Sequence, residues 1–392
     1  MTNHIMSTYA RQAVTFERGQ GAWLWDINGT RYLDAISGIA VCNLGHAHPA
    51  VQQALCAQSG KLLHTSNLYG IDLQAKLADR LTELSGMDNV FFCNSGAEAN
   101  EAAIKLARKY GHQRGIEKPV VITMEKSFHG RTMGTLSATG NAKIQQGFAP
   151  LLEGFIHVAY DDIAAIESAI AADPNIVAIL VEPVQGEGGV NIPAADYLNR
   201  IRTLCDQRQL LMMLDEIQSG VGRTGKFLAY QHNGILPDVC TMAKALGNGV
   251  PIGACLARGE AAQVLTAGNH GSTFGGNPLA CSAALAVLDT LSGSGLIADA
   301  QAKGERICRQ IAAKTANNPH IGVIRNLGLM IGIELDRPCT ELVGMALAQG
   351  LLINVTADSV IRLLPPLLIE DAQIEQLTDT LALLIQELTA RS

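Results

Sequence analysis

The chain has 392 residues, of which 48% are hydrophobic and 17% are charged, and it carries a formal net charge of −7. This length predicts two structural domains with a sizeable core, and the acidic balance argues against nucleic acid as a partner. No apolar run approaches the roughly 18 residues that a membrane helix needs, so no membrane association is expected.

The amino-terminal region and the cysteines indicate the compartment. Residues 1–20 contain no continuous apolar core and do not resemble a secretory signal, so we predict a cytoplasmic protein. The nine cysteines are spread along the chain without a CxxC pair. This spacing predicts buried free thiols and no metal site.

The first predicted element along the chain is a β-hairpin. Residues 21–26 and 28–34 read as strands that turn at Asn28-Gly29, a dipeptide typical of tight hairpin turns. We assign residues 1–59 to an N-terminal segment that packs with a smaller, C-terminal domain.

From about residue 60 the chain alternates helical patterns with short apolar strands. The candidate strands are Asn89–Cys93, residues 119–124, Ile176–Val181, residues 210–214 and Val239–Met242. Because these strands show no polar alternation, both of their faces should be buried, as in the mainly parallel sheet of an α/β protein. Residues 60–275 are assigned to this large domain, whose ligands should bind at the carboxyl ends of the strands.

After residue 276 the pattern changes. It predicts a long Ala-rich helix, strands at about residues 331–335 and 360–364, and a closing amphipathic helix that starts at Asp371. Residues 276–392 are therefore assigned to a smaller α+β domain.

A phosphate seat is predicted directly after the first strand of the large domain. Residues 94–100 follow that strand and open a helix at about residue 101. A helix N-terminus offers unpaired amides and a partial positive charge, and Ser95 and Gly96 let a phosphate come close. An ordinary capped turn is the alternative. The chain has neither a Walker A motif nor a strict GxGxxG motif, so nucleotide binding is not supported.

Phe128 and Arg131 lie just after the second candidate strand. An aromatic ring can stack on a flat cofactor, and an arginine can bind a carboxylate bidentately. Each residue also has an ordinary alternative, which is a core position for Phe128 and a surface position for Arg131.

Two carboxylates and one lysine follow the central strands. Glu182 and Asp215 each end an apolar strand, and Lys244 follows residues 239–243. A lysine held among apolar groups loses its proton more readily and can attack an aldehyde. Pyridoxal phosphate is the commonest aldehyde cofactor, and it also needs a carboxylate at its ring nitrogen and a phosphate cradle. The alternatives are a strand-end salt bridge for the acids and a surface or helix-start position for the lysine.

The order of these parts resembles a known enzyme family. Residues 242–246, together with the segment that precedes them, resemble the signature of class III pyridoxal-phosphate aminotransferases. That segment reads Leu214-Asp215-Glu216-Ile217-Gln218-Ser219-Gly220-Val221-Gly222-Arg223-Thr224-Gly225. The resemblance extends over nearly the whole chain, through residues 44–49, 94–99, 128–131, 182–183 and 270–278.

The resemblance implies fold type I, with a mainly parallel seven-stranded sheet in the large domain, and a homodimer whose active sites are shared between subunits. By that similarity, Lys244 forms the Schiff base with pyridoxal 5'-phosphate and Asp215 faces its ring nitrogen. Gln218 would reach the ring hydroxyl, and Phe128 would stack on the ring. The remaining implied cofactor contacts are Ser95, Gly96, Ala97, Glu216, Ile217 and Thr273 of the partner subunit.

Within the family, the details are most similar to acetylornithine aminotransferases. In these enzymes the arginine that corresponds to Arg131 binds the substrate carboxylate, and Ser272 of the partner subunit would contact the same substrate. Arg362 resembles the family arginine that binds the α-carboxylate of glutamate or 2-oxoglutarate. Glu187 resembles the residue that covers this arginine while an ω-amino substrate is bound. The implied reaction moves the δ-amino group of N2-acetylornithine to 2-oxoglutarate, in arginine biosynthesis.

Other donors and functions stay open at this stage. Ornithine aminotransferases usually have a tyrosine where this chain has Ile39, which disfavours free ornithine. Succinylornithine, succinyl-diaminopimelate and 4-aminobutyrate are alternative donors. An aminomutase, which needs no external acceptor, and a non-enzymatic sensor of the same fold are alternatives of a different class.

Overall fold

The computed structural model describes residues 4–390. Its strands are β1 (Phe16–Gln20), β2 (Trp23–Asp26), β3 (Arg31–Asp34), β4 (Asn89–Cys93), β5 (Val120–Met124), β6 (Phe155–Val158), β7 (Ile176–Val181), β8 (Leu211–Asp215), β9 (Val239–Met242), β10 (Gly253–Ala257), β11 (Ile321–Leu327), β12 (Met330–Leu335), β13 (Leu351–Leu352), β14 (Asn354–Thr356) and β15 (Val360–Leu363).

The helices alternate with these strands along most of the chain. They are α1 (Ser37–Ala40), α2 (Pro49–Ser59), α3 (Asp72–Ser85), α4 (Gly96–Gln113), α5 (Met133–Ala138), α6 (Ala142–Gln145), α7 (Ile163–Ala172), α8 (Tyr197–Arg208), α9 (Pro278–Ser294), α10 (Leu296–Lys314), α11 (Glu341–Ala348) and α12 (Asp371–Ala390). Three short 3₁₀ helices cover Ala229–His232, Lys244–Leu246 and Ala261–Gln263.

A seven-stranded sheet with the order β4-β10-β9-β8-β7-β5-β6 forms the centre of the molecule. Only β10 runs antiparallel to its neighbours, so the predicted mainly parallel sheet is confirmed. All six residues of β7 and all five of β8 are buried, as expected for strands covered by helices on both faces. The five predicted strands are present within one residue at each end, whereas β6 and β10 were not predicted.

The parallel arrangement decides where the candidate site residues meet. Because β5, β7, β8 and β9 run in the same direction, their carboxyl ends lie at one edge of the sheet. Glu182 follows β7, Asp215 ends β8, and Lys244 comes two residues after β9. Ser95 lies at the same edge, since β10 connects β4 in antiparallel register.

The predicted N-terminal hairpin is also present. Strands β2 and β3 pair in antiparallel register around the predicted turn. Asp26 Oδ1 accepts hydrogen bonds from the amides of Asn28 (2.9 Å) and Thr30 (2.8 Å), and Gly29 has a φ of 82°, which favours glycine. Strand β3 pairs in parallel with β13, so the hairpin is joined to the C-terminal part of the chain.

The C-terminal part contains a second, four-stranded antiparallel sheet with the order β11-β12-β15-β14, packed with α10 and α11, which in turn pack with α12. The division of the chain at residues 60 and 276 stays a prediction. Among residues 4–390 no single helix is long and apolar enough to cross a membrane; α9 and α10, bent by 72°, meet the length and composition criteria only as a pair.

Candidate active site

A cavity of about 400 Å³ lies at the carboxyl edge of the large sheet. Most of the side chains that the sequence singled out line it: Ser95, Gly96, Ala97, Phe128, Arg131, Glu182, Glu187, Asp215, Ile217, Gln218 and Lys244. The remaining wall comes from β-edge and loop residues, among them Val41 and residues 249–252. Segments that are far apart in the sequence thus form one pocket.

Lys244 begins a 3₁₀ helix immediately after β9 and lies in the cavity wall, with a φ of 45°. Burial of its amine lowers the pKa to about 8, and the nearby charge of Arg362 acts in the same direction. The carboxylates of Glu187 and Asp215 oppose this effect without cancelling it. Near pH 7 a much larger fraction of this amine than of an exposed lysine is therefore neutral, and hence nucleophilic.

This pKa gives an expected pH dependence for attachment of an aldehyde cofactor. Only the neutral amine attacks, so the attachment rate should rise with pH and level off above about pH 8. Stopped-flow absorbance after mixing cofactor-free protein with pyridoxal phosphate measures this rate. A rate that continues to rise toward about pH 10.4, as for an exposed lysine, would contradict the burial effect.

Asp215 is held by a network of buried polar side chains. Its Oδ2 accepts a hydrogen bond from Asn100 Nδ2 (2.7 Å) and lies 2.8 Å from His129 Nδ1. Asn100 Oδ1 in turn accepts from the Thr241 hydroxyl at 2.7 Å. Asp215 Oδ1 accepts from the amide of Ile217 at 3.1 Å. These contacts fix the orientation of the carboxylate at the cavity floor.

Asn100, His129 and Thr241 received no role in the sequence interpretation, although the first two lie within its motifs. The signal that could have identified Asn100 is its position one helical turn after Gly96, which turns a polar side chain toward the sheet. Its exposed fraction is 0%, so it needs internal hydrogen-bond partners.

Glu182 is the second carboxyl group at this edge. It is 6% exposed, and its Oε2 accepts a hydrogen bond from the amide of Phe128 at 3.1 Å. Burial raises its pKa well above the usual value, and the charge of Asp215 raises it further. Glu182 therefore retains its proton more readily than an exposed glutamate does.

The predicted phosphate seat is the N-terminus of the 18-residue helix α4. Ser95 is the N-cap, and its hydroxyl accepts a hydrogen bond from the amide of Glu98 at 3.2 Å. The amides of Gly96 and Ala97 belong to the first turn, where no intrahelical acceptor exists, and both residues line the cavity. A Cβ at Gly96 would lie 2.8 Å from Ile217 Cδ1, so glycine allows this close packing.

Phe128 and Arg131 form one side of the cavity. Phe128 is half-buried, whereas Arg131 is exposed, with its guanidinium carbon 5.5 Å from the centre of the Phe128 ring. This cation–π contact orients the arginine while its charge stays available to an anion. The structure thus places an aromatic face and a free cation beside each other.

Arg362 does not itself line the cavity; it is only 1% exposed and contacts two residues that do, Glu187 and Gln218. Its Nη1 donates to Glu187 Oε1 at 2.6 Å and to Gln218 Oε1 at 3.2 Å, and its Nη2 donates to Asn354 Oδ1 at 2.7 Å. Although burial alone would raise the pKa of Glu187, the charge and hydrogen bond of Arg362 lower it below the usual value. In this structure Glu187 therefore covers Arg362.

Besides Arg362, four of the sequence-based candidates do not line the main cavity. The Glu216 carboxylate points into the core, where it accepts from the Ser219 hydroxyl (2.6 Å) and the Tyr230 amide (2.9 Å) and burial raises its pKa to about 7. Ser272 and Thr273 line a separate cavity of about 520 Å³ beside α4. Ile39 has a φ of 67° and is exposed at the surface.

The residues at the main cavity fit pyridoxal phosphate. They combine a buried, low-pKa lysine, a fixed carboxylate for a ring nitrogen, an aromatic face and a helix N-terminus for a phosphate. No group of three or more His, Cys, Asp and Glu side chains within residues 4–390 has an arrangement suited to a metal ion. The fold and the site define a pyridoxal-phosphate-dependent enzyme of fold type I.

Comparison with known proteins identifies the family. The model of the class-III aminotransferases matches residues 5–385. Acetylornithine aminotransferase of Nitrosomonas europaea is 56% identical over 383 residues, covering 98% of each chain. Acetylornithine aminotransferase 1 of Bordetella bronchiseptica is 50% identical over 391 residues, covering 100% of both. The chain belongs to the class-III aminotransferases, which confirms the resemblance seen in the sequence.

Solved structures agree with this assignment. Ornithine aminotransferase of Toxoplasma gondii has a TM-score of 0.95 at 36% identity, covering 99% of this chain and 94% of its own. N-acetylornithine aminotransferase of Stenotrophomonas maltophilia has a TM-score of 0.85 at 37% identity, covering 98% of both chains. The fold is thus shared by enzymes named for acylated and for free ornithine.

Proposed function

We propose that this aminotransferase moves the δ-amino group of N2-acetylornithine to 2-oxoglutarate, forming N-acetylglutamate 5-semialdehyde and glutamate, in arginine biosynthesis. The pairing of Glu187 with Arg362 is the observation that carries the proposal. In this pair the Glu187 carboxylate covers the Arg362 guanidinium, whereas the Arg131 guanidinium stays exposed. An ω-amino donor with a single free carboxylate matches this charge pattern, and both curated relatives described above are named for acetylornithine.

The acyl group of such a donor fits the same pattern. Acylation removes the α-ammonium charge, so the donor presents one amine to Lys244 and one carboxylate to Arg131. Free ornithine keeps its α-ammonium, and the sequence offers no tyrosine at Ile39 to receive it. Ornithine is the second candidate donor, because of the structural similarity to the Toxoplasma gondii enzyme.

The residues of the cavity divide the chemistry among themselves. Bound pyridoxal phosphate supplies an electron sink for the charge that develops at the substrate carbon. Asp215, fixed by Asn100 and His129, would keep the ring nitrogen protonated. The free Lys244 amine would accept a proton from the substrate carbon that carries the amine and deliver it, as a general acid, to the aldehyde-derived carbon of the cofactor. The amides of Gly96 and Ala97 would hold the phosphate.

The acceptor half of the reaction needs a second carboxylate site. When Glu187 releases Arg362, this guanidinium can bind the α-carboxylate of 2-oxoglutarate bidentately. Gln218 and Asn354 hold the arginine in place through the exchange. The same pocket can then serve a monocarboxylate amine donor and a dicarboxylate acceptor in turn.

A homodimer and a cytoplasmic location belong to the same proposal. Ser272 and Thr273 lie outside the main cavity, on a surface that also carries exposed apolar side chains: Leu62, Leu63, Leu68, Tyr69 and Phe274. The segment around Asn67 is joined to the segment around Ser272, because Asn67 Nδ2 donates to the carbonyls of Ser272 (3.1 Å) and Gly275 (3.0 Å). An apolar surface of this kind favours pairing with a second copy.

All nine cysteines are free thiols, as favoured by a reducing compartment.

Two-substrate kinetics tests the proposed reaction. With N2-acetylornithine and 2-oxoglutarate as the varied substrates, we expect parallel double-reciprocal lines, the mark of a ping-pong mechanism, and glutamate formed in equal amount to the semialdehyde. Intersecting lines, or continued turnover of the donor beyond one equivalent of enzyme without 2-oxoglutarate, would contradict the proposal; the latter result would favour the aminomutase alternative.

A further inference from the structure

The loop that carries Glu187 is held in an unusual backbone conformation. Residues 185–191 close on themselves through paired backbone hydrogen bonds between Gln185 and Asn191 at 3.0 and 3.1 Å. Within the loop, Val190 has a φ of 52° although it is a buried, β-branched residue, which is a costly conformation. Such a backbone persists only where surrounding contacts stabilise it.

Those contacts come from one row of the small antiparallel sheet. Arg325 of β11 lies opposite Gly332 of β12, Gly332 lies opposite Arg362 of β15, and Arg362 lies opposite Asn354 of β14. Residues that are directly opposite in neighbouring strands project from the same face of a sheet. Two arginines therefore face the 185–191 loop from the same row, with a glycine between them.

Arg325 binds the base of the loop. Its Nε donates to the carbonyl of Val190 at 2.8 Å, its Nη2 donates to the carbonyl of Gly189 at 2.6 Å, and its Nη1 donates to Glu334 Oε2 at 2.6 Å. Arg362 binds the carboxylate at the tip of the loop, as described above. A Cβ at Gly332 would lie only 3.0 Å from the Val190 side chain, so glycine is what lets the loop lie against the sheet.

We propose that Arg325 is a positioning residue for substrate specificity: by holding the carbonyls of Gly189 and Val190, it keeps Glu187 over Arg362 and so sets the balance between the ω-amino donor and the dicarboxylate acceptor. The inference rests on the proposed function. Arg325 does not line the main cavity, so it acts only through the loop. Without it, the strained loop relaxes, Glu187 leaves Arg362 more often, and dicarboxylates bind more tightly.

Binding of glutarate, an unreactive dicarboxylate with the carbon chain of 2-oxoglutarate, tests this inference without turnover. Isothermal titration of the cofactor-loaded protein should give a Kd about tenfold lower for Arg325→Met than for the wild type, about the effect of one charge-assisted hydrogen bond. Arg325→Lys, which keeps the charge but lacks the forked donors, should lie between the two. Arg306→Met is the matched control, since it removes another small-domain arginine from an ion pair, with Asp371; it should leave the Kd unchanged.

The double variant separates a positioning role from a general loss of structure. Glu187→Ala should lower the Kd for glutarate, and adding Arg325→Met in that background should then have no further effect. The inference is overturned if Arg325→Met leaves the Kd within about twofold of the wild type while Glu187→Ala lowers it. It is also overturned if the two effects add. Failure of the proposed function appears separately, as absence of reaction with acylated ω-amino donors in the wild type.

Discussion

Replacement of Lys244 by alanine is expected to reduce kcat by a factor of about 10⁴ or more and to abolish the absorbance band of the lysine-linked cofactor. The variant lacks both the amine that attaches the cofactor and the base that moves the substrate proton. The cavity itself should persist, because the side chain that is removed lines an existing cavity and does not fill the packed core. Steady-state rates and absorption spectra measure the two losses.

Lys76 offers a matched control for this substitution. It lies on α3, with 61% of its side chain exposed, and pairs with Asp72 one helical turn away. Lys76→Ala should keep both the spectrum and the rate. Retention of the absorbance band of the lysine-linked cofactor, or substantial turnover, in Lys244→Ala would show that another residue carries the chemistry.

Replacement of Arg362 by alanine is expected to raise the KM for 2-oxoglutarate by a factor of about 100 or more. A buried guanidinium that pairs with a carboxylate contributes roughly 2–5 kcal/mol when its partner is present. The half-reaction with the ω-amino donor should change less, by no more than about tenfold, because Arg362 is covered by Glu187 while that donor is bound. Separate rapid-mixing measurements of the two half-reactions distinguish these effects.

Loss of Arg362 also leaves Glu187 without its cation. The pKa of Glu187 should rise, since the charge and hydrogen bond of Arg362 are what hold it low. Arg362→Lys restores a charge but not the bidentate geometry, so it should recover only part of the affinity for 2-oxoglutarate. An unchanged KM in Arg362→Ala would place the acceptor carboxylate elsewhere in the cavity.

The sequence identified the central sheet because its strands are continuous apolar runs. Strand β7, for example, is a run of six apolar residues bounded by polar ones, and all six are buried. A run this short and this apolar favours a buried strand. Strands β6 and β10 lack this signal: β6 includes the polar His157, and β10 is built largely of small residues around Gly253. Their place in the sheet depends on pairing with distant strands.

In the candidate site, too, some residues have a local sequence signal and others depend on contacts with distant residues. Lys244, Asp215 and the N-terminus of α4 follow strands directly, so a parallel sheet brings them together and the sequence pattern indicates them. Asn100, His129 and Arg325 act through contacts with residues that are far away in the chain, and no local pattern reveals such contacts. The side chain of Glu216 points into the core although its neighbours line the cavity, because only one side of that turn faces the pocket.

The half-reaction rates of the cofactor-loaded protein with a panel of donors test the central claim most directly. The donors are N2-acetylornithine, ornithine, N2-succinylornithine, succinyl-diaminopimelate and 4-aminobutyrate, and the signal is the visible absorbance of the lysine-linked cofactor. We expect the highest second-order rate constant for loss of this absorbance with N2-acetylornithine, and return of the absorbance when 2-oxoglutarate is added. Faster loss with free ornithine or 4-aminobutyrate, or no return with 2-oxoglutarate, would contradict the proposed function.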